Sequence, residues 1–338
     1  MPSIRTVAAL AGVSTATVSN VLNARRSVAP DLVARVQSAV AELGYIADLG
    51  ASRLRSRRST VVGVVVPDIA NPFFGTLVAA LEDAARRDGY DLLVVSSGED
   101  PALETARLRT LLTWRPAGLI VAPCDDRLAG RALVQAAGVP MVCADRVPAD
   151  PAFDVVTVDN RTIAAEVGRH LVATGRRRIL IAAANLAIGN NRDRCAGVRD
   201  TAEPAGATVE IIEVGVRLAE SRARLTRRLT FGPVPDALFT LNNVGTVAAL
   251  SALAEVRLAV PEDLALVGFD DAEWMRAVSP PLSTVHQPLE QMARAAWGRL
   301  MARIGGDTSP PHHLRLACRL DSRASSAPAR RLALAHWH

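Results

Sequence analysis

The chain contains no lysine, so all 39 of its basic residues are arginine. We read this as a bias towards GC-rich codons and not as a functional choice. Aromatic residues make up 4% of the sequence, which leaves small aliphatic side chains to fill the interior. No stretch approaches the roughly 18 to 20 apolar residues of a membrane span. Met1-Pro2-Ser3-Ile4-Arg5 lacks the charged-then-apolar pattern and cleavage site of a secretory signal, so the expected location is the cytoplasm. Cys124, Cys143, Cys195 and Cys318 show no C-x-x-C spacing, which argues against a zinc or redox site and for reduced, mostly buried thiols. His170, His286, His312, His313, His336 and His338 show no ligand spacing, and Asp270-Asp271 has no third carboxylate close in sequence. G-x-G-x-x-G after the first apolar run, G-x-x-x-x-G-K-[ST], H-E-x-x-H and G-x-S-x-G are all missing. Neither a metal nor a cofactor nor an enzymatic activity is expected.

What the chain does have is unevenly placed. Its 338 residues suffice for two or three domains. Residues 1–58 carry eight arginines against Asp31, Glu42 and Asp48, an excess of five that equals the net charge of +5 for the whole chain. A small basic module on a neutral body is the electrostatic footprint of a nucleic-acid binder.

Within that module, Ile4 to Gly12 reads as a helix capped by Ser3, with Val7, Ala8 and Leu10 turned inward and Gly12 as its stop. Ser14 caps a second, short helix. Its apolar Val18, Val21 and Leu22 recur at helical spacing and leave Thr15, Ala16, Ser19 and Asn20 outside. Pro30 starts a third helix, lined by Leu32, Val33, Val36, Val40 and Leu43 and ended by Gly44. Helix, glycine-containing turn, short helix and third helix within about 45 residues is the helix-turn-helix arrangement. The second helix is polar and uncharged on its surface, which suits base edges. A basic, serine-rich stretch follows at 48–60.

From Val61 the texture changes. Val61–Val66 is a continuous apolar run, β-branched except at Gly63, as expected of a buried parallel strand. Strands and helices then alternate through about Phe269 in two successive sets, which predicts two doubly wound α/β domains joined near 158 and 286. Ligands in such sheets sit beyond the carboxyl ends of the strands. Those ends carry Asp68, Asp145-Arg146, Asn242-Asn243 and Asp270-Asp271, with Phe73, Phe74 and Trp274 nearby. Hydrogen-bonding groups beside apolar ring faces point to a sugar, a nucleoside or a similar small polar molecule.

The residues resemble the lactose-repressor (LacI/GalR) family of bacterial regulators over about 3 to 326. The resemblance is carried by Val7-Ala8-Ala9-Leu10-Ala11-Gly12-Val13-Ser14, Ala16-Thr17-Val18-Ser19, Val21-Leu22-Asn23 and Ala41-Glu42-Leu43-Gly44-Tyr45. Further on come Val66-Pro67-Asp68-Ile69-Ala70-Asn71-Pro72-Phe73-Phe74, Val158-Asp159-Asn160, Val267-Gly268-Phe269-Asp270-Asp271 and Leu282-Ser283-Thr284-Val285-His286-Gln287-Pro288. The resemblance implies that Thr15, Ala16 and Asn20 read bases in the major groove. Asn20 has the amide for a two-point contact with adenine, and Ala16 a methyl surface for thymine. It implies phosphate contacts or register-holding for Ser14, Thr17, Ser19, Asn23, Arg25, Arg26 and Arg35. In the hinge, Arg53 joins the DNA contacts and Leu54 matches the leucine that wedges into the minor groove. The binding unit is then a homodimer on near-palindromic double-stranded operator DNA. The same carry-over places Phe73, Asp145, Arg146, Arg194, Asn242 and Asp270 in a pocket for a sugar-like effector, with Asn190 and Trp274 as weaker candidates.

The expected organisation is thus a small all-α helix-turn-helix domain at 1–47, a hinge helix and linker at 48–60, and an effector-binding core at 61–338. The core would be α/β, two doubly wound parallel-sheet subdomains of periplasmic-binding-protein type. One spans about 61–157 plus 288–315, the other about 158–285 plus 316–326, with a tail at 327–338. Some positions depart from the family pattern. Thr6 stands where Asp is common, which predicts a weakened capping box. Gly50 loosens the hinge helix by roughly 1 kcal/mol relative to Ala. Asn185-Leu186-Ala187-Ile188 replaces a Gly-Pro-rich loop, and the tail lacks leucine heptads, so no tetramer is expected through it. The function this predicts is an effector-gated repressor. A transporter's solute-binding protein shares such a body but would need export and has no use for residues 1–58. A sugar or nucleoside enzyme would need a supported base or nucleophile.

Overall fold

The computed structural model of the chain describes residues 2–22, 28–45, 59–149 and 152–328, so most of the expected hinge and the last ten residues of the tail lie outside the described residues. The chain divides into two units, Met1–Ser59 and Thr60–His338.

In the first unit, Ser3 caps α1 (Ile4–Ala11) through a complete capping box. Ser3 Oγ accepts the Thr6 N–H at 3.3 Å, and Thr6 Oγ1 accepts the Ser3 N–H at 2.8 Å. The weakened box expected from Thr6 is therefore corrected, because a threonine hydroxyl reaches the N-cap amide as a carboxylate would. Gly12 ends α1 at φ +60°, the left-handed region that favours glycine. α2 (Thr15–Leu22) and α3 (Pro30–Leu43) complete the unit. Val7, Ala8, Ala11, Val18, Val36 and Ala39 form its core. Leu10, expected inside, is exposed, as is Leu22. On a helix, Val7, Ala8 and Ala11 share a stripe with Ile4, and Leu10 falls off its edge.

The second unit runs β1 (Val61–Val66), α4 (Pro72–Arg87), β2 (Asp91–Ser96), α5 (Pro101–Thr113), β3 (Gly118–Val121), α6 (Arg131–Ala137), β4 (Met141–Ala144) and β5 (Asp154–Val158). It continues with α7 (Asn160–Ala173), β6 (Arg178–Ala183), α8 (Gly189–Ala202), β7 (Thr208–Glu213), α9 (Leu218–Phe231), β8 (Ala237–Thr240), α10 (Asn243–Glu255), β9 (Ala265–Phe269), α11 (Trp274–Ala277) and β10 (Ser283–His286). Then come α12 (Leu289–Ile304), β11 (His313–Leu316) and β12 (Arg319–Asp321). The strands form two six-stranded sheets, β11-β5-β4-β3-β1-β2 and β12-β10-β9-β8-β6-β7. All pairings are parallel except β10 with β12. Both sheets are covered on two faces, so their central strands are buried along their length. Val62, Val64 and Val66 of β1 face one core cluster and Val65 faces another. In the second sheet, Ile179 and Ile181 separate in the same way from Leu180 and Ala182.

The chain passes between the sheets three times: after β5, after β10, and between β11 and β12. α12 therefore follows a strand of the second sheet but packs against the first. It is fixed there by Asp154, whose carboxylate accepts Arg303 Nε at 2.7 Å, Arg299 Nη2 at 3.2 Å and the His312 N–H at 2.6 Å. In the other subdomain, a Cβ at Gly197 would run into the Arg161 carbonyl oxygen and one at Gly168 into the Thr201 hydroxyl, so these glycines permit the close approach of α7 and α8. Gly197 lies one turn beyond Arg194 on the same helix. His170 bonds Ser326 at 2.7 Å, consistent with a structural residue. The cysteines are free, and burial pushes the Cys195 thiol up to about 11.

Candidate functional site

Two places gather the chemistry. The first is the outer face of α2. Ser14 Oγ accepts the Thr17 N–H at 3.1 Å and bonds Thr17 Oγ1 at 2.9 Å, so these two hydroxyls build the start of the helix. Val18 plugs the core, while Thr15 and Ala16 are exposed and Ser19 and Asn20 half-buried. Arg35, expected at a phosphate, donates Nη2 to the Gly12 carbonyl at 3.1 Å and so braces α3 against the end of α1. Asn23, Arg25, Arg26, Arg53 and Leu54 lie outside the described residues.

The second is a narrow cleft of about 50 Å³ between the carboxyl ends of the two sheets. It brings together Phe73, Asp145, Arg146, Asn190, Arg194, Asn242 and Asp270. Trp274 is not among them. α11 starts four residues after Asp270, and the intervening turn carries the indole to neighbouring hollows beside Asn243. One of these hollows shares Phe73, Asp270 and Gln287 with the cleft, so Trp274 borders it from the side.

Asp145 and Asp270 hold the same place in the two halves. β4 and β9 have the same rank in their sheets, and each is followed by an aspartate at positive φ, 67° and 69°. Each donates its N–H to the adjacent strand, Asp145 to Val156 O at 2.8 Å and Asp270 to Val285 O at 3.1 Å. Aspartate tolerates this region better than most residues, and such backbone is characteristic of functional sites. Burial pushes the Asp145 carboxyl up to about 6, against the pull of Arg146 and Arg194. Burial likewise raises that of Asp270, opposed by Arg194 and by the hydrogen bond from Gln287.

The two guanidiniums are deeply held. Arg146 gives Nη2 to Glu99 Oε1 at 2.6 Å and Nη1 to Glu99 Oε2 at 2.7 Å, with further bonds to the Pro123 and Cys124 carbonyls. Arg194 gives Nε to Asn160 at 2.8 Å and Nη1 to Leu241 O at 2.6 Å, and lies 3.5 Å over the Phe269 ring. Asn242 caps α10 through its Oδ1, which leaves its NH₂ as the group to offer. Polar bonds also span the cleft. Asn190 donates to Asp145 O at 3.0 Å, Asn243 to Asn71 Oδ1 at 2.7 Å, and Asp126 accepts Gly189 N–H at 2.8 Å and pairs with Arg192.

Asp271, next to Asp270, has a different task. Burial alone would raise its pKa, yet Arg323, Arg276 and Thr284 hold it well below the usual carboxylate range. It meets His286 and Asp321 near a common point, but its oxygens are already committed to these partners. Sequence reading missed Glu99, Gln287 and Asn71 as cleft residues. Glu99 stands three residues past β2, and the same strand-end rule that found Asp145 points to it.

Asp145→Asn should stabilise the ligand-free chain at pH 8, and the gain should vanish towards pH 4. A carboxyl whose folded pKa is raised costs no stability below its unfolded value near 3.9. The cost then grows as pH rises through about 6. At pH 8 it amounts to about 3 kcal/mol at most. Asparagine keeps the left-handed backbone and removes the charge. Denaturant midpoints measured from pH 4 to 8 check this; a gain independent of pH would rule out Asp145 as its source.

Comparison with known proteins gives a consistent answer. Residues 3–48 match the model for bacterial regulatory proteins of the lacI family, and residues 168–326 match that for a periplasmic binding protein-like domain. The ribose operon repressor of Escherichia coli K12 is 31% identical over 331 residues, covering 96% of this chain and 100% of that protein. A lac repressor dimer bound to operator and the anti-inducer ONPF superimposes with a TM-score of 0.83 at 26% identity, over 96% of this chain and 99% of that one. The transcriptional regulator CelR in complex with cellobiose gives a TM-score of 0.71 at 28% identity, over 96% of this chain and all of the other.

Proposed function

Because the chain belongs to the lacI family of bacterial regulatory proteins, and is a DNA-binding transcriptional repressor under effector control, we propose how its two sites divide that work. The observation that carries the reading is the exposed, uncharged face of a short capped helix in one unit, paired with a buried, aspartate-lined cleft in the other. α2 lies in the major groove. Asn20 contacts adenine, Thr15 and Ala16 contact neighbouring base edges, and Ser14, Thr17 and Ser19 contact phosphates. Asn23, Arg25, Arg26, Arg53 and Leu54 supply the remaining backbone and minor-groove contacts. Two copies bind a near-palindromic operator as a homodimer.

The domain boundaries follow: reader at 1–47, hinge at 48–60, core from 61. The effector is a small sugar-like molecule held by Phe73, Asp145, Asn190, Arg194, Asn242 and Asp270, with Arg146 behind them. It binds one arrangement of the core subdomains better than another, and that difference in affinity is what reaches the DNA. The role asks no chemical step of the cleft, no cofactor and no metal, and it is carried out in the cytoplasm.

A gel shift with DNA flanking the protein's own gene tests the reading. A discrete complex that survives competitor DNA at physiological salt is expected. Binding confined to low salt and indifferent to sequence would overturn it.

A further inference from the structure

The cleft's charges do not balance. Among the described residues lining it are three carboxylates, Glu99, Asp145 and Asp270, and two guanidiniums, Arg146 and Arg194. Arg146 is not on offer to an incoming anion. Glu99 occupies both outer nitrogens of Arg146 in a two-point pair, the geometry in which a carboxylate or phosphate would otherwise be bound. Arg194 spends two nitrogens on Asn160 and Leu241 and sits in the combined field of Asp145 and Asp270.

The cleft also holds buried acceptors that lack donors. Gln287 is 96% buried by its 4% exposure, and it turns its NH₂ to Asp270 at 2.6 Å, leaving its own Oε1 with no partner among the described residues. Asp145 is nearly as poorly served. Its Oδ1 meets Asn190 Nδ2 at 3.4 Å and its Oδ2 lies 3.9 Å from Arg146 Nε. A buried acceptor without a donor is costly, so whatever fills the cleft gains most by bringing O–H or N–H groups.

We propose that the cleft selects an uncharged or positively charged polyhydroxyl compound, such as a neutral sugar or an amino sugar, and excludes anionic counterparts such as sugar phosphates and sugar acids, with Glu99 as the residue that bars them. This rests on the reading of the cleft as the effector site.

The test uses the full-length protein and matched probes: glucose, glucosamine, glucose 6-phosphate, galactose, galacturonate, ribose, ribose 5-phosphate, and inorganic phosphate alone. Calorimetric titration should show no anionic probe binding the unaltered protein more tightly than its neutral partner. Glu99→Gln should bind inorganic phosphate at least tenfold more tightly than the unaltered protein does, and adding Arg146→Met should abolish the gain. An anionic sugar bound by the unaltered protein more tightly than its neutral partner, with tenfold loss in Arg146→Met, overturns the charge rule and leaves the regulator standing. So does a Glu99→Gln protein with no gain for phosphate. A neutral sugar that binds but leaves operator affinity unchanged in a gel shift overturns the regulatory reading and leaves the charge rule in place.

Discussion

Asn20→Ala is expected to weaken binding to the cognate operator about 10- to 100-fold while leaving binding to unrelated DNA nearly unchanged. A two-point amide contact to adenine is worth about 1–3 kcal/mol of discrimination, and every 1.4 kcal/mol is roughly tenfold. Non-specific binding comes from phosphate neutralisation by the arginine excess of residues 1–58, which this substitution does not touch. The two kinds of contact therefore separate by salt. Binding curves on operator and scrambled DNA across a salt series should show parallel slopes and a gap that narrows only in the variant. Equal losses on both DNAs would remove Asn20 from base reading. The half-buried position of Asn20 does not threaten the fold, since Val18 supplies the contact of α2 with the core.

The second large effect is expected at Asp270. Asp270→Ala should reduce affinity for the neutral sugar that binds the unaltered protein best by about 100-fold, and operator binding should no longer respond to it. Hydrogen bonds to a charged group contribute about 1.5–3 kcal/mol each, and a buried carboxylate facing a polyol makes more than one. Operator affinity in the absence of sugar should stay as it was. Alanine at φ 69° carries backbone strain of roughly 1–2 kcal/mol, so Asp270→Asn, which tolerates that conformation, separates lost chemistry from lost stability. A variant with normal response in both forms would exclude Asp270 from the site.

Much of this was legible in the sequence because it rests on local rules. Caps at Ser3 and Ser14, stops at Gly12 and Gly44, and the spacing around Val18 define the reader without tertiary information. The valine-rich Val61–Val66 run and the strand-end rule led to Asp145 and Asp270. What was not legible depends on distance along the chain or on a turn's direction. The Glu99–Arg146 pair joins residues 47 apart. Trp274 is close to Asp270 in sequence, but the turn between them sets it in an adjoining hollow. The edge strand His313–Leu316 is largely exposed, so it has no buried face to announce it; its register is set by β5 alone. Leu10 belongs to a motif that resembles the family yet faces solvent, because a helix of eight residues offers its core a narrow stripe.

The three passages between the sheets all leave from the same margin. β5 and β11 lie at one edge of the first sheet, β10 and β12 at the corresponding edge of the second. The halves are thus bound like the covers of a book along one spine, with β2 and β7 on the fore-edge. Any opening about that spine moves the fore-edge farthest, and the residues beyond those two strands, Glu99 and Val216, already share a hollow there. An opening of this kind would widen the cleft first on that side. The margin farthest from the spine is then the part of the molecule on which any opening acts most, while the aspartates sit in the middle of the page.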